Sequence, residues 1–308
     1  MKSITVTSPA SVSNLCCGFD ILGMALKEPF DTIQLLASDE PGIRIQHTDP
    51  FDLPSDPEKN IAGVALQSMM NALNYKAGFD VIMHKQIKPG SGIGSSAASA
   101  AGIVVAANEL LGRPFSKKEL VAFAMDGEML ASGSKHADNL APCIYGGLVL
   151  VRDTATLDIV GISTPPLYIT VIHPQIEIKT SYAREILPKE IPLKSAVVQW
   201  ANVAGLVTGF LKADYSLIGR SLEDVIIEPV RSKLIPGFHE VKGKCKEAGA
   251  LGGGISGSGP SLFMLSESAS TASDVEAVMK TVYTRLGIAF KTYVTTIHEK
   301  GVEVIEII

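Results

Sequence analysis

Cysteine is scarce and unpatterned in this chain. Cys16, Cys17, Cys143 and Cys245 are the only four among 308 residues. No C-x-x-C spacing occurs, so neither a zinc site nor a disulfide framework is indicated. Cys16 and Cys17 read as small packing residues, and a reduced, cytoplasmic setting fits best. Long apolar runs are missing as well. The start, Met-Lys-Ser-Ile-Thr-Val, has no apolar signal core, and the small-residue run 97–107 contains Ser and Gly and is too short to span a bilayer. Nor is there an excess of positive charge. Lys and Arg number 27 against 32 Asp and Glu, for a formal net charge of −5. That argues against nucleic acid as the main partner. An acidic protein that binds anions must gather its positive charge locally. Internal repeats and low-complexity tails are absent too.

What is present is an ordinary globular composition, 46% hydrophobic and 19% charged, with enough length for two domains. Residues 4–7, 32–36 and 43–47 alternate like strands. Asn60 reads as the N-cap of a helix whose apolar positions are Ile61, Val64, Ala65, Met69 and Ala72. A strand over 79–85 leads into a glycine-rich loop and a small-residue helix that stops near Leu111, before Gly112 and Pro114. Ser116-Lys117-Lys118-Glu119 is a capping box, and Gly146-Gly147 opens a strand over 148–152. The turn Thr164-Pro165-Pro166 divides the chain into domains 1–165 and 166–308. Beyond it, strands are expected over 168–173, 261–265, 293–297 and 302–307, with helices over 193–211, 238–248 and 274–286. Helices and strands mix without strict alternation, which favours an α+β fold over a doubly wound sheet.

The loop reads Lys88-Pro89-Gly90-Ser91-Gly92-Ile93-Gly94-Ser95-Ser96-Ala97-Ala98-Ser99. Its glycines allow positive φ, so successive N–H groups can turn toward one anion, and the next helix adds its N-terminal N–H groups and dipole. Ser95 or Ser96 can cap that helix or reach a metal ion. The local chemistry reads as a polyphosphate cradle; the alternative is a glycine-rich connection without a ligand. It is not a Walker A loop, because Ser95-Ser96 stands where Lys and Ser/Thr are needed. A literal Gly-x-Gly-x-x-Gly occurs at Gly252, Gly254 and Gly257, but it follows a helix and precedes a strand, the reverse of a dinucleotide site. It reads as a tight turn or a ligand-facing loop.

Other polar clusters stand out. Asn14 and Asp20 follow the first strand, as a ligand contact or an Asx turn. Glu128, near the end of an apolar helix, is either a solvated charge or a magnesium ligand. Ser134-Lys135-His136-Ala137-Asp138-Asn139 packs several functional groups into one short stretch, which suits substrate binding. Arg184, close to Thr180, and the distant Arg231 are either unrelated surface groups or a bidentate carboxylate clamp.

Three segments carry a resemblance. They are Pro9-Ala10-Ser11-Val12-Ser13-Asn14-Leu15 with Gly18-Phe19-Asp20, then Pro89 to Ser99, then Gly252-Gly253-Gly254-Ile255-Ser256-Gly257-Ser258-Gly259-Pro260-Ser261. In order and spacing they resemble the three motifs of the GHMP small-molecule kinases, over nearly the whole chain. Gly18-Phe19-Asp20-Ile21-Leu22-Gly23 and Lys135-His136-Ala137-Asp138-Asn139-Leu140-Ala141-Pro142 are similar to a branch acting on an amino acid with a side-chain hydroxyl. The resemblance implies a two-domain GHMP kinase fold. Its amino-terminal part is ribosomal S5 domain 2-like with a left-handed βαβ unit, and its carboxyl-terminal part is ferredoxin-like. It implies ATP and Mg²⁺, a cytoplasmic place in amino-acid synthesis, no membrane partner, and a homodimer.

By matched position, Pro89, Gly90, Ser91, Gly92, Ile93, Gly94, Ser95, Ser96, Ala97, Ala98 and Ser99 would hold the triphosphate, with Asn60 and Lys85 also at the nucleotide. Ser96 and Glu128 would hold the metal. Asn14, Asp20, Asp138 and Asn139 would surround the amino and hydroxyl ends of the acceptor, Arg184 and Arg231 its carboxylate, with His136, Thr180 and Gly254 as further contacts. Several members of the family place an Asp near the accepting hydroxyl. Asn139 stands at that place here, and an amide cannot be a general base. The expected machinery is therefore Asn139 and Asp20 positioning the hydroxyl, with Ser96 and Glu128 at the metal. The alternatives are a kinase for another small alcohol and a catalytically silent protein of the same fold.

Overall fold

The computed structural model describes residues 2–133 and 135–308; Ser134 of the His136 segment lies outside the described residues. The amino-terminal part runs β1 (Ser3–Ser13), β2 (Leu22–Ser38), β3 (Gly42–His47), α1 (Ile61–Ala72), β4 (Gly78–His84), α2 (Ser95–Leu110), α3 (Lys117–Ser132), α4 (Leu140–Tyr145), β5 (Leu148–Asp153) and β6 (Asp158–Ile162). β1, β2, β4 and β3 lie side by side, and β5 and β6 extend from the far end of β2. β3 and β4 are parallel neighbours, so α1 is the crossover of a βαβ unit.

β1 and β2 run well beyond the expected 4–7 and 32–36. Pro9 and Pro29 lie within these strands, where the ladder shifts register between Pro9 and Ser11 and accommodates them. Ile33, Leu35, Phe79, Val81 and Met83 put one sheet face against Leu66, Met69, Ile103 and Val104 of α1 and α2. α2 is buried along most of its length. Its small residues are a packing requirement: a Cβ on Gly102 would lie 2.6 Å from Ile33 Cδ1. α2 therefore sits tight on the sheet and holds its N-terminus in a fixed place.

The second part comprises β7 (Tyr168–Pro174), α5 (Thr180–Glu185), α6 (Leu193–Lys212), α7 (Tyr215–Ser221), α8 (Glu228–Arg231), a 3₁₀ turn (Ser232–Leu234), α9 (Phe238–Glu247), β8 (Gly252–Ile255), β9 (Leu262–Ser266), α10 (Ala269–Leu286), β10 (Phe290–Thr296) and β11 (Glu303–Ile307). α10 starts earlier than its apolar spacing suggests, because the Ser268 side chain caps it by accepting from Thr271 N–H. The sheet order is β10-β7-β9-β8, all antiparallel, which is the ferredoxin-like arrangement. Both sheet faces are covered. Ile172, Leu262 and Met264 pack on α9 and α10. Val171, Phe263 and Leu265 join Phe210 of α6 and Val12, Met24 and Leu148 of the first part in one shared core. The Thr164-Pro165-Pro166 turn lies between β6 and β7, where the chain changes sheets, yet β11 returns to pair with β1. The two parts are thus tied by a common core and by the last strand, and the cleft between them holds the site.

Candidate active site

The glycine loop lies between β4 and α2. Gly90, Gly92 and Gly94 all adopt positive φ, at 72°, 81° and 72°. Gly94 is the N-cap of α2 and offers no side-chain cap, so the first-turn N–H groups remain available to a ligand. Ser95 is not the cap either, since its Oγ donates to Ile87 O at 2.7 Å and it is buried. Ser96 lines the cavity.

Lys85 sits behind the loop. Its buried Nζ donates to Asp31, to Ser95 O at 3.0 Å and to Ser99 Oγ at 2.7 Å, which uses all three ammonium hydrogens. Lys85 also lines the cavity, so it props the loop and supplies charge to it from beneath. Asp31, missed in the sequence, completes the prop by accepting from Gln86 and Ile87 N–H. Its only signal is a carboxylate at an inward position of a strand.

The third glycine segment clamps the loop from the other domain. Ser261 donates to Ser91 O through Oγ at 2.6 Å, and Ser256 Oγ donates to Gly92 O at 2.7 Å. A Cβ on Gly92 would lie 2.5 Å from Gly259 O. Asn14 Nδ2 reaches Gly257 O at 2.9 Å, tying in the first motif. Gly257 and Ser258 line the cavity. Gly254 does not, and the expectation for it is corrected: it sits in β8, where a Cβ would meet Glu228 Oε2 and Cys16 Sγ.

The cavity holds about 380 Å³. At one end His47, Leu53, Pro54, Asn60, Ile61 and Met83 form a slot. Asn60 is the cap of α1, accepting from Ala62 N–H at 2.9 Å, and its Nδ2 donates to Pro54 O at 2.7 Å and faces His47 Nε2 at 3.1 Å. Both amide hydrogens and the oxygen are thus engaged, so Asn60 shapes the wall of the slot. His47 gave no signal in the sequence; only the pairing of β3 with β4 brings it there.

Asn14, Asp20, His136, Asp138, Asn139, Thr180, Arg184 and Arg231, far apart in sequence, converge on the other end of the cavity. The Asx turn is real as well: Asn14 Oδ1 accepts from Asp20 N–H at 3.0 Å, with both residues at positive φ. Arg184 Nη2 contacts both Asp20 oxygens, at 2.7 and 3.0 Å. Arg231 is buried and donates to Ala183 O and Gly257 O, each at 3.0 Å. The two guanidinium groups lie 5.2 and 5.1 Å from the Phe19 ring centre, within cation–π range. Burial, and then the neighbouring Arg184, pull the Arg231 pKa down to about 10. His136 Nδ1 is 3.8 Å from Asp20, and burial lowers its pKa. Thr180 Oγ1 meets Ser258 Oγ at 3.2 Å.

Asn139 is held by two serines: Oδ1 accepts from Ser11 at 2.8 Å and Nδ2 donates to Ser13 at 2.9 Å. Burial, reinforced by Asp20, pushes the Asp138 carboxyl up to about 6. Burial pushes Glu128 up to about 7, against a hydrogen bond with Ser96. One carboxylate and one hydroxyl side by side, open to a phosphate-binding loop, are a donor set suited to Mg²⁺, which keeps waters and phosphate oxygens as its other ligands.

Family models for the GHMP kinases N-terminal domain and C-terminal domain match residues 60–147 and 206–285. The homoserine kinase of Chloroherpeton thalassium is 47% identical over 299 residues, covering 93% of this chain and 94% of that protein. That of Chlorobium phaeobacteroides is 46% identical, covering 93% of each. The crystal structure of homoserine kinase from Cytophaga hutchinsonii superposes with a TM-score of 0.95 at 48% identity, covering 98% of this chain and 97% of that one.

Proposed function

The chain belongs to the GHMP kinases, in their homoserine kinase branch, and we propose that it transfers the γ-phosphoryl group of ATP to the side-chain hydroxyl of L-homoserine, giving O-phospho-L-homoserine for threonine biosynthesis. One observation carries the substrate assignment. The cavity that opens onto the phosphate loop also presents a carboxylate, Asp20, and two arginines, Arg184 and Arg231, matching an amino acid's ammonium and carboxylate.

Phosphoryl transfer asks for in-line placement and for stabilised charge on the phosphoryl oxygens. The N–H groups of the loop and of the α2 N-terminus receive the triphosphate, with the Lys85 charge beneath. Ser96 and Glu128 hold Mg²⁺, which neutralises phosphate charge when bound. Asn139 positions the acceptor hydroxyl through the second lone pair of Oδ1, the first being taken by Ser11. That oxygen lies 3.2 Å from where a Cβ on Gly94 would stand, so the hydroxyl is held beside the phosphate loop. An amide cannot take the proton; it leaves late, to phosphate.

The reading includes a cytoplasmic enzyme, supported by four free, buried cysteines. Among the described residues no helix is long and apolar enough to cross a membrane. It also includes a homodimer joined through α6, whose outer face carries exposed apolar side chains.

The test is ADP release from Mg-ATP with L-homoserine, L-serine, L-threonine and mevalonate as separate acceptors. Turnover that requires L-homoserine and Mg²⁺ is expected. Turnover with another acceptor alone would overturn the substrate assignment while keeping the kinase.

A further inference from the structure

The Asp20–Arg184 ion pair joins the group that the proposed function sets against the substrate's ammonium to one that it sets against the carboxylate. The geometry points to this pair as a selector for zwitterions: each partner neutralises the other in the empty pocket, and only a ligand that offers both charges can replace both halves at once. The inference rests on the homoserine reading and specifies how that pocket rejects related alcohols.

The charges around the pair make single replacement unfavourable. Arg184 and Arg231 flank one ring, Phe19. Asp20 sits against Arg184 and screens that crowding of like charge. A ligand with an ammonium and no carboxylate that captured Asp20 would leave the two arginines facing each other without an anion. On the other side, Asp138 is buried nearby and His136 lies 3.8 Å from Asp20. A ligand with a carboxylate and no ammonium that captured Arg184 would leave Asp20 next to a new negative charge. A zwitterion replaces one ion pair with two and leaves neither side uncompensated. The pair is also replaceable: its side chains are 31% and 37% exposed, so it is no tightly buried bridge. It spans from the turn after β1 to α5, and α5 carries Thr180 over Ser258 as well. Ligand entry therefore exchanges a contact between the two parts of the molecule for contacts through the substrate.

The test compares L-homoserine with its two one-charge analogues. 4-Hydroxybutyrate lacks the ammonium, and 3-aminopropan-1-ol lacks the carboxylate. Affinities are measured by calorimetry on the full chain with a non-hydrolysable ATP analogue and Mg²⁺. For Asp20→Asn, L-homoserine affinity should fall on the order of a hundredfold. In the same variant 4-hydroxybutyrate should bind about two- to fivefold more tightly than it does to the unaltered protein, because Arg184 is released. For Arg184→Gln the mirror result is expected, with 3-aminopropan-1-ol gaining affinity. A purely structural role for the pair would weaken all three ligands together. Unchanged or weaker 4-hydroxybutyrate binding to Asp20→Asn, with nucleotide binding intact, overturns the selector; if that variant fails to bind nucleotide, Arg184→Gln decides by the same criterion. Turnover of L-homoserine by the unaltered protein is read in parallel. Its absence overturns the substrate reading and the selector with it, whereas its presence beside unchanged analogue affinities overturns the selector alone.

Discussion

Arg184 and Arg231 bring the same charge to the same corner, but their surroundings give them different duties. Arg184 is partly exposed and pairs with Asp20, whereas Arg231 is buried and donates to two backbone carbonyls. Arg184→Ala should therefore weaken L-homoserine by about 2–5 kcal/mol while Mg-ATP affinity and thermal midpoint stay near normal. Arg231→Ala should weaken L-homoserine and also cost about 1–3 kcal/mol of stability, because Ala183 O and Gly257 O lose a donor. Calorimetry and thermal unfolding separate the two, and an unchanged midpoint for Arg231→Ala would refute its structural duty. Asp138 makes a pH-dependent prediction. Its pKa is raised to about 6 from 3.8, with burial as the main cause. The folded state holds this proton longer than the unfolded chain does. Its contribution to stability is thus complete below pH 3.8 and is lost as pH rises through about 6. Asp138→Asn should stabilise the ligand-free protein at pH 8 by something of order 2 kcal/mol, with the gain vanishing below pH 4, while turnover falls. Parallel unfolding curves for the two proteins across that range would contradict it.

At the scale of elements, the phosphate loop separates two costs that a glycine substitution can impose. Gly90 and Gly94 share a φ of 72°. A Cβ on Gly90 meets nothing within 4 Å, whereas on Gly94 it would stand 2.1 Å from Ser11 Oγ. Gly90→Ala should cost only the left-handed strain, about 1–2 kcal/mol, with Mg-ATP affinity changed by less than about tenfold. Gly94→Ala must displace Ser11, and with it the hydrogen bond that fixes Asn139, so both nucleotide and acceptor sites should fail. Equal effects of the two substitutions, read as KM for ATP and for L-homoserine, would argue against this coupling. The same loop shows which parts of the site were legible in the sequence. Helix caps and glycine turns are local chemistry, so Asn60, the Ser116 box and the loop itself could be read from neighbouring residues. The convergence of Asp20, Asp138, Arg184 and Arg231 was visible only through resemblance, since no local rule joins residues so far apart. The partners of Asp31, the place of His47 and the clamp of Ser256 and Ser261 on the loop cannot be read locally. Their roles arise from strand register and from contact between two domains, which sequence spacing does not encode. The bracing of Lys85 by Asp31 escaped the sequence for the same reason.

At the scale of the whole molecule, α6 presents a face that its own fold leaves unsatisfied. α6 buries Ala196, Gln199, Leu206, Gly209 and Phe210 on its inner side. Its outer side exposes Leu193 at 71%, Val197 at 52%, Trp200 at 61% and Leu211 at 62%. Between them Ala204 is exposed, and Val207 is partly exposed while also packing against the shared core. The spacing from Leu193 through Val197, Trp200, Ala204 and Val207 to Leu211 alternates four and three, the seam of two packed helices. The seam is also self-complementary. Laid antiparallel against a second α6 about a two-fold axis at Asn202, Leu193 meets Leu211, Val197 meets Val207, and the large Trp200 meets the small Ala204. A second copy of the chain is the occupant that this symmetry fits. Trp200 is the only tryptophan in the sequence, so its emission reports directly on the seam. Dilution should shift that emission to the red as dimers part, in step with the mass measured by light scattering. Trp200→Glu should give a monomer at concentrations where the unaltered protein is dimeric. Turnover per chain should persist in that monomer, because the cavity and every residue assigned to it lie within one copy. A monomeric unaltered protein, or a dimer that survives Trp200→Glu, would remove α6 as the joining surface, and loss of turnover on dissociation would show that the second copy supports the site after all.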